Sequence, residues 1–93
     1  MVFEMLSEGA GNAITSKELC KVLNISARDL TAAVERERRA GNAICASTGR
    51  KPGYYKPRQR DEMEQYCTSL ARREAEIRKT RNACIATLDK LPL

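Results

Sequence analysis

The sequence predicts a mainly α-helical fold with one small β-hairpin, followed by a long C-terminal helix. Three observations predict this fold class: two successive helix-start signals, a turn-rich segment between two short apolar runs, and a helical pattern over the last third of the chain. A chain of 93 residues has room for one modest hydrophobic core. We therefore expect a compact domain over residues 1–57 and an amphipathic helix over residues 58–93.

The N-terminal part of the chain is apolar and then rich in glycine. Residues 2–8 form a short apolar segment, which we expect to be a helix that ends at Gly9 and Gly11. Residues 12–14 then form a short extended link.

Two capped helices follow in close succession. Thr15 and Glu18 have the spacing of a capping box, which predicts a helix over residues 15–24. Ser26 is a good N-cap for a second helix over residues 27–40, which ends at a Gly-Asn pair. The two helices are therefore joined by a tight turn.

A hairpin and a long helix complete the chain. Residues 43–47 read as a strand, residues 48–53 have turn chemistry, and residues 54–56 read as the returning strand. Pro57 ends this strand. The pattern then becomes helical and stays so over residues 60–91.

The excess positive charge is concentrated in one stretch of the chain. The net charge is +5, and between residues 36 and 58 Glu37 is the only acid. The remainder of the chain, with ten cations and eleven acids, is close to neutral. Such a cluster is compatible with a nucleic-acid contact, and the alternative is a solvated surface, which is what runs of charge usually form. Its seven cations are Arg36, Arg38, Arg39, Arg50, Lys51, Lys56 and Arg58.

Two capped helices followed by a basic hairpin have the order of elements found in a winged helix-turn-helix. The run from Ser16 to Ser26, followed by residues 39–41 and by Gly53-Tyr54-Tyr55, resembles the winged-helix domain of the biotin operon repressor and related bacterial regulators. The resemblance covers about residues 2–57 and lies in the apolar, Gly and Ser positions. The ligand-binding and catalytic parts of biotin repressors have no counterpart here.

The resemblance implies that the helix over residues 27–40 binds DNA, with residues 47–55 as the wing. A helix fits the major groove, where base edges are readable, and a hairpin can contact the backbone. Arg28 is the best candidate for a base contact, followed by Thr31 and Ala32. The cations better placed for phosphates are Arg36, Arg39, Arg50 and Lys51. The residues expected to contact double-stranded DNA are Arg28, Thr31, Ala32, Glu35, Arg36, Arg39, Arg50, Lys51 and Lys56.

One position departs from the family's pattern. The family has a large apolar residue near the end of the recognition helix, and Glu37 stands there in this chain. A carboxylate facing a core needs a partner. We expect either that Arg60 or another cation pairs with Glu37, or that the helix is turned slightly.

The C-terminal helix has an apolar seam with the alternating 4-3 spacing of a coiled coil. The seam positions Glu74 and Arg81 are charged, and an antiparallel pair would let them approach opposite charges. We therefore expect a homodimer; the alternative is that the helix packs on its own domain through Tyr66, Leu70 and Ile77. The apolar seam residues expected at the dimer interface are Met63, Cys67, Leu70, Ile77, Cys84 and Leu88.

The composition favours some classes of protein over others. The chain has no His, no Gly-rich phosphate loop and no nucleophile with a plausible base, so we expect neither an enzyme nor a cofactor. The four cysteines lack paired ligand spacing, which favours reduced structural thiols over disulfides or zinc, and hence a cytoplasmic protein. No apolar run is long enough for a membrane span.

These observations predict a sequence-specific double-stranded DNA-binding protein, a transcriptional regulator of bacterial or phage type. The alternative is a protein-interaction module built on a winged helix, such as a phage or mobile-element inhibitor or adaptor. The dependence of binding on salt distinguishes the two, because phosphate contacts release counterions.

Overall fold

The structure, a computed structural model, describes residues 1–92 and is mainly helical with one small antiparallel hairpin. This confirms the predicted mainly α class and the long C-terminal helix. The elements are helices α1 (Ser16–Leu23), α2 (Ala27–Arg39) and α3 (Arg60–Leu88), and strands β1 (Cys45–Ser47) and β2 (Gly53–Tyr55).

Both predicted caps are present at the starts of α1 and α2. The Thr15 hydroxyl accepts a hydrogen bond from the Glu18 N–H at 3.1 Å, and the Ser26 hydroxyl accepts one from the Asp29 N–H at 3.0 Å. Each cap satisfies one of the N–H groups that a helix start leaves without a partner. Asn24 ends α1 in the left-handed conformation, with φ of 55°. Residues close to the short turn between the two helices therefore specify it.

The helix predicted over residues 2–8 is not present, and that prediction is wrong. A single 3-10 turn spans Phe3–Met5, and the chain then runs alongside the hairpin. The Lys56 N–H donates to the Ser7 carbonyl at 2.9 Å, and the Gly9 N–H donates to the Lys56 carbonyl at 2.8 Å. These hydrogen bonds to the hairpin satisfy backbone groups that a helix would have paired within itself.

The extended link before α1 pairs with the hairpin. Ile14 and Tyr54 exchange two backbone hydrogen bonds, of 2.9 and 2.8 Å, which confirms extended backbone at Ile14. A second 3-10 turn over Ala10–Asn12 replaces the start of the predicted link. On its other side, β2 pairs with β1 and places Cys45 opposite Tyr55. Strand β2 is thus held from both sides.

The core consists of two clusters. The first joins α1, α2 and the N-terminal segment, and its buried residues are Val2, Leu6, Leu19, Leu30, Val34 and Ile44. The second is formed by Cys45, Tyr55 and Tyr66, with Met63 packed against it. Because Tyr66 and Met63 belong to α3, the first turns of the long helix pack on the hairpin.

Glu37 is buried in the first cluster and binds backbone groups instead of a cation. Only 3% of its surface is exposed, and its two carboxylate oxygens accept the N–H groups of Val2 at 2.9 Å and Phe3 at 2.8 Å. The expectation that Arg60 or another cation pairs with Glu37 is therefore wrong; Arg60 binds Glu64 at 2.7 Å. Glu37 fixes the N-terminal 3-10 turn on α2.

Arg38 faces inward and joins α2 to the hairpin and to α3. Its Nε donates to the Ile44 carbonyl at 2.9 Å, and its guanidinium carbon lies 4.7 Å from the centroid of the Tyr66 ring. A cation stacked on an aromatic face is stabilised by the ring quadrupole. One of the seven clustered cations thus has a structural role.

Glu62 attaches the start of α3 to the N-terminal segment. Its carboxylate accepts the N–H groups of Arg58 at 2.6 Å and Ala10 at 3.0 Å. The hydrogen bond from Arg58 and then that from Ala10 favour the charged carboxylate, so they lower the pKa of Glu62 below its ordinary 4.5. The contact therefore depends on pH.

We expect Glu62→Gln to lower the free energy of unfolding at neutral pH and to have a smaller effect in acid. A carboxylate whose pKa is lowered by folding stabilises the fold above its ordinary pKa of 4.5, and this contribution is lost as the pH falls through the lowered value. Urea unfolding at a series of pH values measures the difference between variant and wild type. Glu64→Gln, which removes a carboxylate two residues away that binds neither Ala10 nor the Arg58 N–H, is the control. A difference for Glu62→Gln that stays constant with pH would contradict this assignment.

Candidate nucleic-acid interface

Helix α2 has a buried face and an exposed face. Leu30, Val34 and Glu37 point into the core. The residues expected to contact DNA lie away from this face: Arg28, Thr31, Ala32, Glu35, Arg36 and Arg39 are all exposed. The spacing of Arg28, Ala32, Glu35 and Arg39 places these four on one stripe of the helix.

Ion pairs engage part of this stripe. Glu35 binds Arg39 at 3.4 Å and Arg38 at 3.6 Å. Exposed pairs of this kind contribute little to stability and exchange readily, so a phosphate can compete for Arg39. Within residues 1–92, Arg28 and Arg36 have no carboxylate within 4.0 Å. Glu35 itself would repel a phosphate, which makes it a poor direct contact.

The tip of the hairpin carries two exposed cations. Arg50 and Lys51 are both exposed, and neither is in an ion pair within the part of the chain that the structure describes. The Ser47 hydroxyl donates to the Lys51 carbonyl at 2.8 Å, and this hydrogen bond joins the two ends of the turn. The two side chains extend from a short, constrained turn.

Lys56 is placed differently from the other predicted contacts. It is half-buried, and its Nζ lies 4.5 Å from the centroid of the Phe3 ring. Lys56 therefore helps to hold the N-terminal segment, and its charge is less available than those at the hairpin tip.

A cleft of about 410 Å³ separates the hairpin from the start of α1. Lys17 lines it on the α1 side, opposite Ser47 and Thr48 on the hairpin. Lys17 is exposed. It is not among the residues named from the sequence, because the expected DNA contacts lie on α2 and the hairpin and Lys17 lies on α1. Lys17 therefore places one further cation beside the hairpin.

The four cysteines differ in exposure, and all four thiols are free. Cys45 is buried; burial, followed by the charge of Glu62, raises the pKa of its thiol to about 11, so little reactive thiolate forms. Cys20 is half-buried, whereas Cys67 and Cys84 are exposed on α3. In residues 1–92, no three potential metal ligands of the His, Cys, Asp and Glu types cluster together.

The predicted interface residues of α3 fall into two groups. Met63 is half-buried against the second core cluster. Cys67, Leu70, Ile77, Cys84 and Leu88 are exposed. Of the residues named for packing on the domain, Tyr66 is buried there, whereas Leu70 and Ile77 are not. Among the described helices, none is long and apolar enough to cross a membrane.

Comparisons of the chain with protein-family models, with curated proteins and with solved structures found no match.

Proposed function

We propose that this chain binds double-stranded DNA sequence-specifically as a winged helix-turn-helix protein, and acts as a transcriptional regulator of bacterial or phage type in the cytoplasm. The order of elements supports this proposal: Ile14 pairs with the hairpin, α1 and α2 follow as a capped pair, and the hairpin comes next. In such a domain the second helix of the pair enters the major groove.

The observation that carries the proposal is the outward face of α2. Arg28 and Arg36 are exposed there without an acidic partner in the described residues, and Arg50 and Lys51 are equally open at the hairpin tip. An arginine near the start of a recognition helix can donate two hydrogen bonds to a guanine edge. The cations on the hairpin suit phosphate contacts, which are independent of base sequence.

We expect Arg28→Ala and the double change Arg50→Ala with Lys51→Ala to weaken DNA binding in different ways. Arg28→Ala is expected to lower discrimination between selected and random duplexes by about 1–3 kcal/mol. The hairpin double variant is expected to weaken binding to both duplexes alike and to reduce the slope of log K against log salt by about 2 units. Fluorescence-anisotropy titrations at several salt concentrations, after selection of bound duplexes from a random pool, measure both effects.

The control is Arg72→Ala with Lys79→Ala, which removes two exposed cations from α3 and the same net charge as the hairpin variant. This control is expected to leave the salt slope unchanged. Equal losses in the control and hairpin variants would mean that binding follows net charge alone. Absence of any enriched duplex would overturn sequence-specific recognition.

One observation favours the alternative, a protein-interaction module. The outer part of α3 exposes large apolar side chains, with Ile77 68% and Leu88 64% exposed, and an amphipathic helix is a common docking element. Binding to a protein partner that is insensitive to salt and to loss of Arg50 and Lys51, together with no affinity for DNA, would support it.

A further inference from the structure

The outer part of α3 is a helix without a packing partner in the single chain. Every described residue from 70 onward is exposed, including Leu70, Ile77, Ile85 and Leu88. Most helix stability in proteins comes from packing of an apolar face rather than from helix propensity. A partner surface that covers these side chains would therefore stabilise the segment.

We propose that α3 pairs antiparallel with α3 of a second copy, in the register that sets Cys67 against the partner's Cys84. In an antiparallel coiled coil each a position faces a d position of the other helix. In the heptad of α3, Cys67 and Glu74 occupy position a, and Ile77 and Cys84 occupy position d. Pairing Cys67 with the partner's Cys84 therefore sets position a against position d, as the rule requires. The layers then join Met63 with Leu88, Cys67 with Cys84, Leu70 with Arg81, and Glu74 with Ile77, each pair occurring twice.

The charges along α3 select this register from its neighbours. Sliding the partner by one heptad in one direction brings Arg78 opposite the partner's Arg78 in the flanking positions. A slide in the other direction brings Arg73 opposite the partner's Arg73. The proposed register places Arg78 opposite Ala71 and Arg73 opposite Thr80, and so avoids both repulsions.

The two charged seam positions are also accommodated. Glu74 and the partner's Arg81 occupy adjacent layers, within reach of long side chains. Within each chain the Glu74 carboxylate also binds Arg78 at 2.9 Å. Its negative charge is therefore compensated when Glu74 lies in the interface. A polar position of this kind lowers stability but helps to fix register.

The domain leaves most of this seam accessible. It covers the side of α3 that carries Tyr66 and Met63, whereas Cys67 and Leu70 remain exposed. The central layers, from Cys67 to Cys84, are therefore open to a second helix. The outermost layers, in which Met63 meets the partner's Leu88, lie next to the domain.

Disulfide cross-linking tests the register. We expect the Cys20→Ala protein, which retains the buried Cys45, to form a covalent dimer when treated with the azo oxidant diamide. In each bond two thiols lose their hydrogens, and diamide is reduced to the hydrazine. We expect Cys67→Ser and Cys84→Ser, each made in this background, to give no covalent dimer alone. Mixing the two variants is expected to restore one bond per dimer, seen on a non-reducing gel and mapped by mass spectrometry to Cys67 and Cys84.

The other outcomes contradict the proposal. A parallel pair would join like cysteines, so each single variant would still cross-link. An antiparallel pair displaced by a heptad would leave each of these cysteines opposite another residue type, and the parent protein would not cross-link. A chain that stays monomeric would give neither product.

Molar mass provides a second readout without oxidation. Ile77→Asp is expected to convert dimers to monomers in sedimentation equilibrium, because it adds a carboxylate next to Glu74 at the centre of the seam. Val22→Asp is the matched control, since Val22 is similarly exposed, at 63%, but lies on α1. An unchanged mass for Ile77→Asp would overturn the seam. Neither assay contains DNA, so its result is independent of the proposed DNA binding.

Discussion

Replacing Gly53 with alanine is expected to lower the free energy of unfolding by about 3 kcal/mol or more. Gly53 has a φ of 142°, which side-chain-bearing residues rarely adopt, and a Cβ there would lie 2.4 Å from the Ile14 carbonyl oxygen. The clash is with backbone that exchanges two hydrogen bonds with Tyr54. Relief therefore requires the hairpin to separate from the segment before α1.

Gly49→Ala is the matched control for this change. Gly49 lies in the same hairpin, and a Cβ there would meet nothing within 4 Å. We expect this substitution to change stability by less than about 1 kcal/mol. Urea unfolding of both variants provides the comparison. Similar midpoints for the two would contradict the close approach of Gly53 to Ile14. If the proposed function is right, Gly53→Ala also weakens DNA binding by displacing Arg50 and Lys51.

The parts of the fold predictable from sequence are those specified by local signals. Thr15 and Ser26 accept hydrogen bonds from residues three positions later, so their effect is visible within one turn of sequence. The exposed stripe that begins at Arg28 follows from helix periodicity alone, once the apolar positions define the inner face. These elements do not depend on distant parts of the chain.

The N-terminal segment could not be predicted because its partners are distant in sequence. Its backbone bonds run to Lys56 and to Glu37, the latter across 34 and 35 residues. An apolar run such as residues 2–8 suits a helix as well as a bound strand, and tertiary contacts decide between them. Glu37 departs from the winged-helix pattern that the sequence resembles, and the sequence does not reveal that its partners are main-chain N–H groups.

The sequence predicted where the residues of the candidate site lie, but not which of their charges are engaged by other groups of the protein. Periodicity identified which side chains of α2 point outward, but not that Arg38 turns inward to Ile44 and Tyr66. Nor does sequence alone reveal that Lys56 lies on the Phe3 ring. Long cationic side chains reach several neighbours, so their partners depend on the tertiary fold.

Glu37→Ala is expected to lower the free energy of unfolding by about 3 kcal/mol, a large part of the total for a domain of this size. The substitution leaves the buried N–H of Val2 and that of Phe3 without their acceptors, and it opens a space beside α2. Glu35→Ala is the control, because Glu35 lies on the same helix and its exposed ion pairs are worth about 0–1 kcal/mol. The free energy of unfolding of Glu37→Gln is expected to lie between those of Glu37→Ala and Glu35→Ala, because the amide keeps one oxygen that accepts a hydrogen bond.

Amide hydrogen exchange separates this role of Glu37 from a general loss of packing. In Glu37→Ala the N–H groups of Val2 and Phe3 are expected to exchange faster relative to that of Leu30, whose partner is the Ser26 carbonyl. Uniformly faster exchange would show that the substitution loosens the whole domain. Equal unfolding free energies for Glu37→Ala and Glu35→Ala would contradict the carboxylate's part in holding the N-terminal turn, because only Glu37 contacts it.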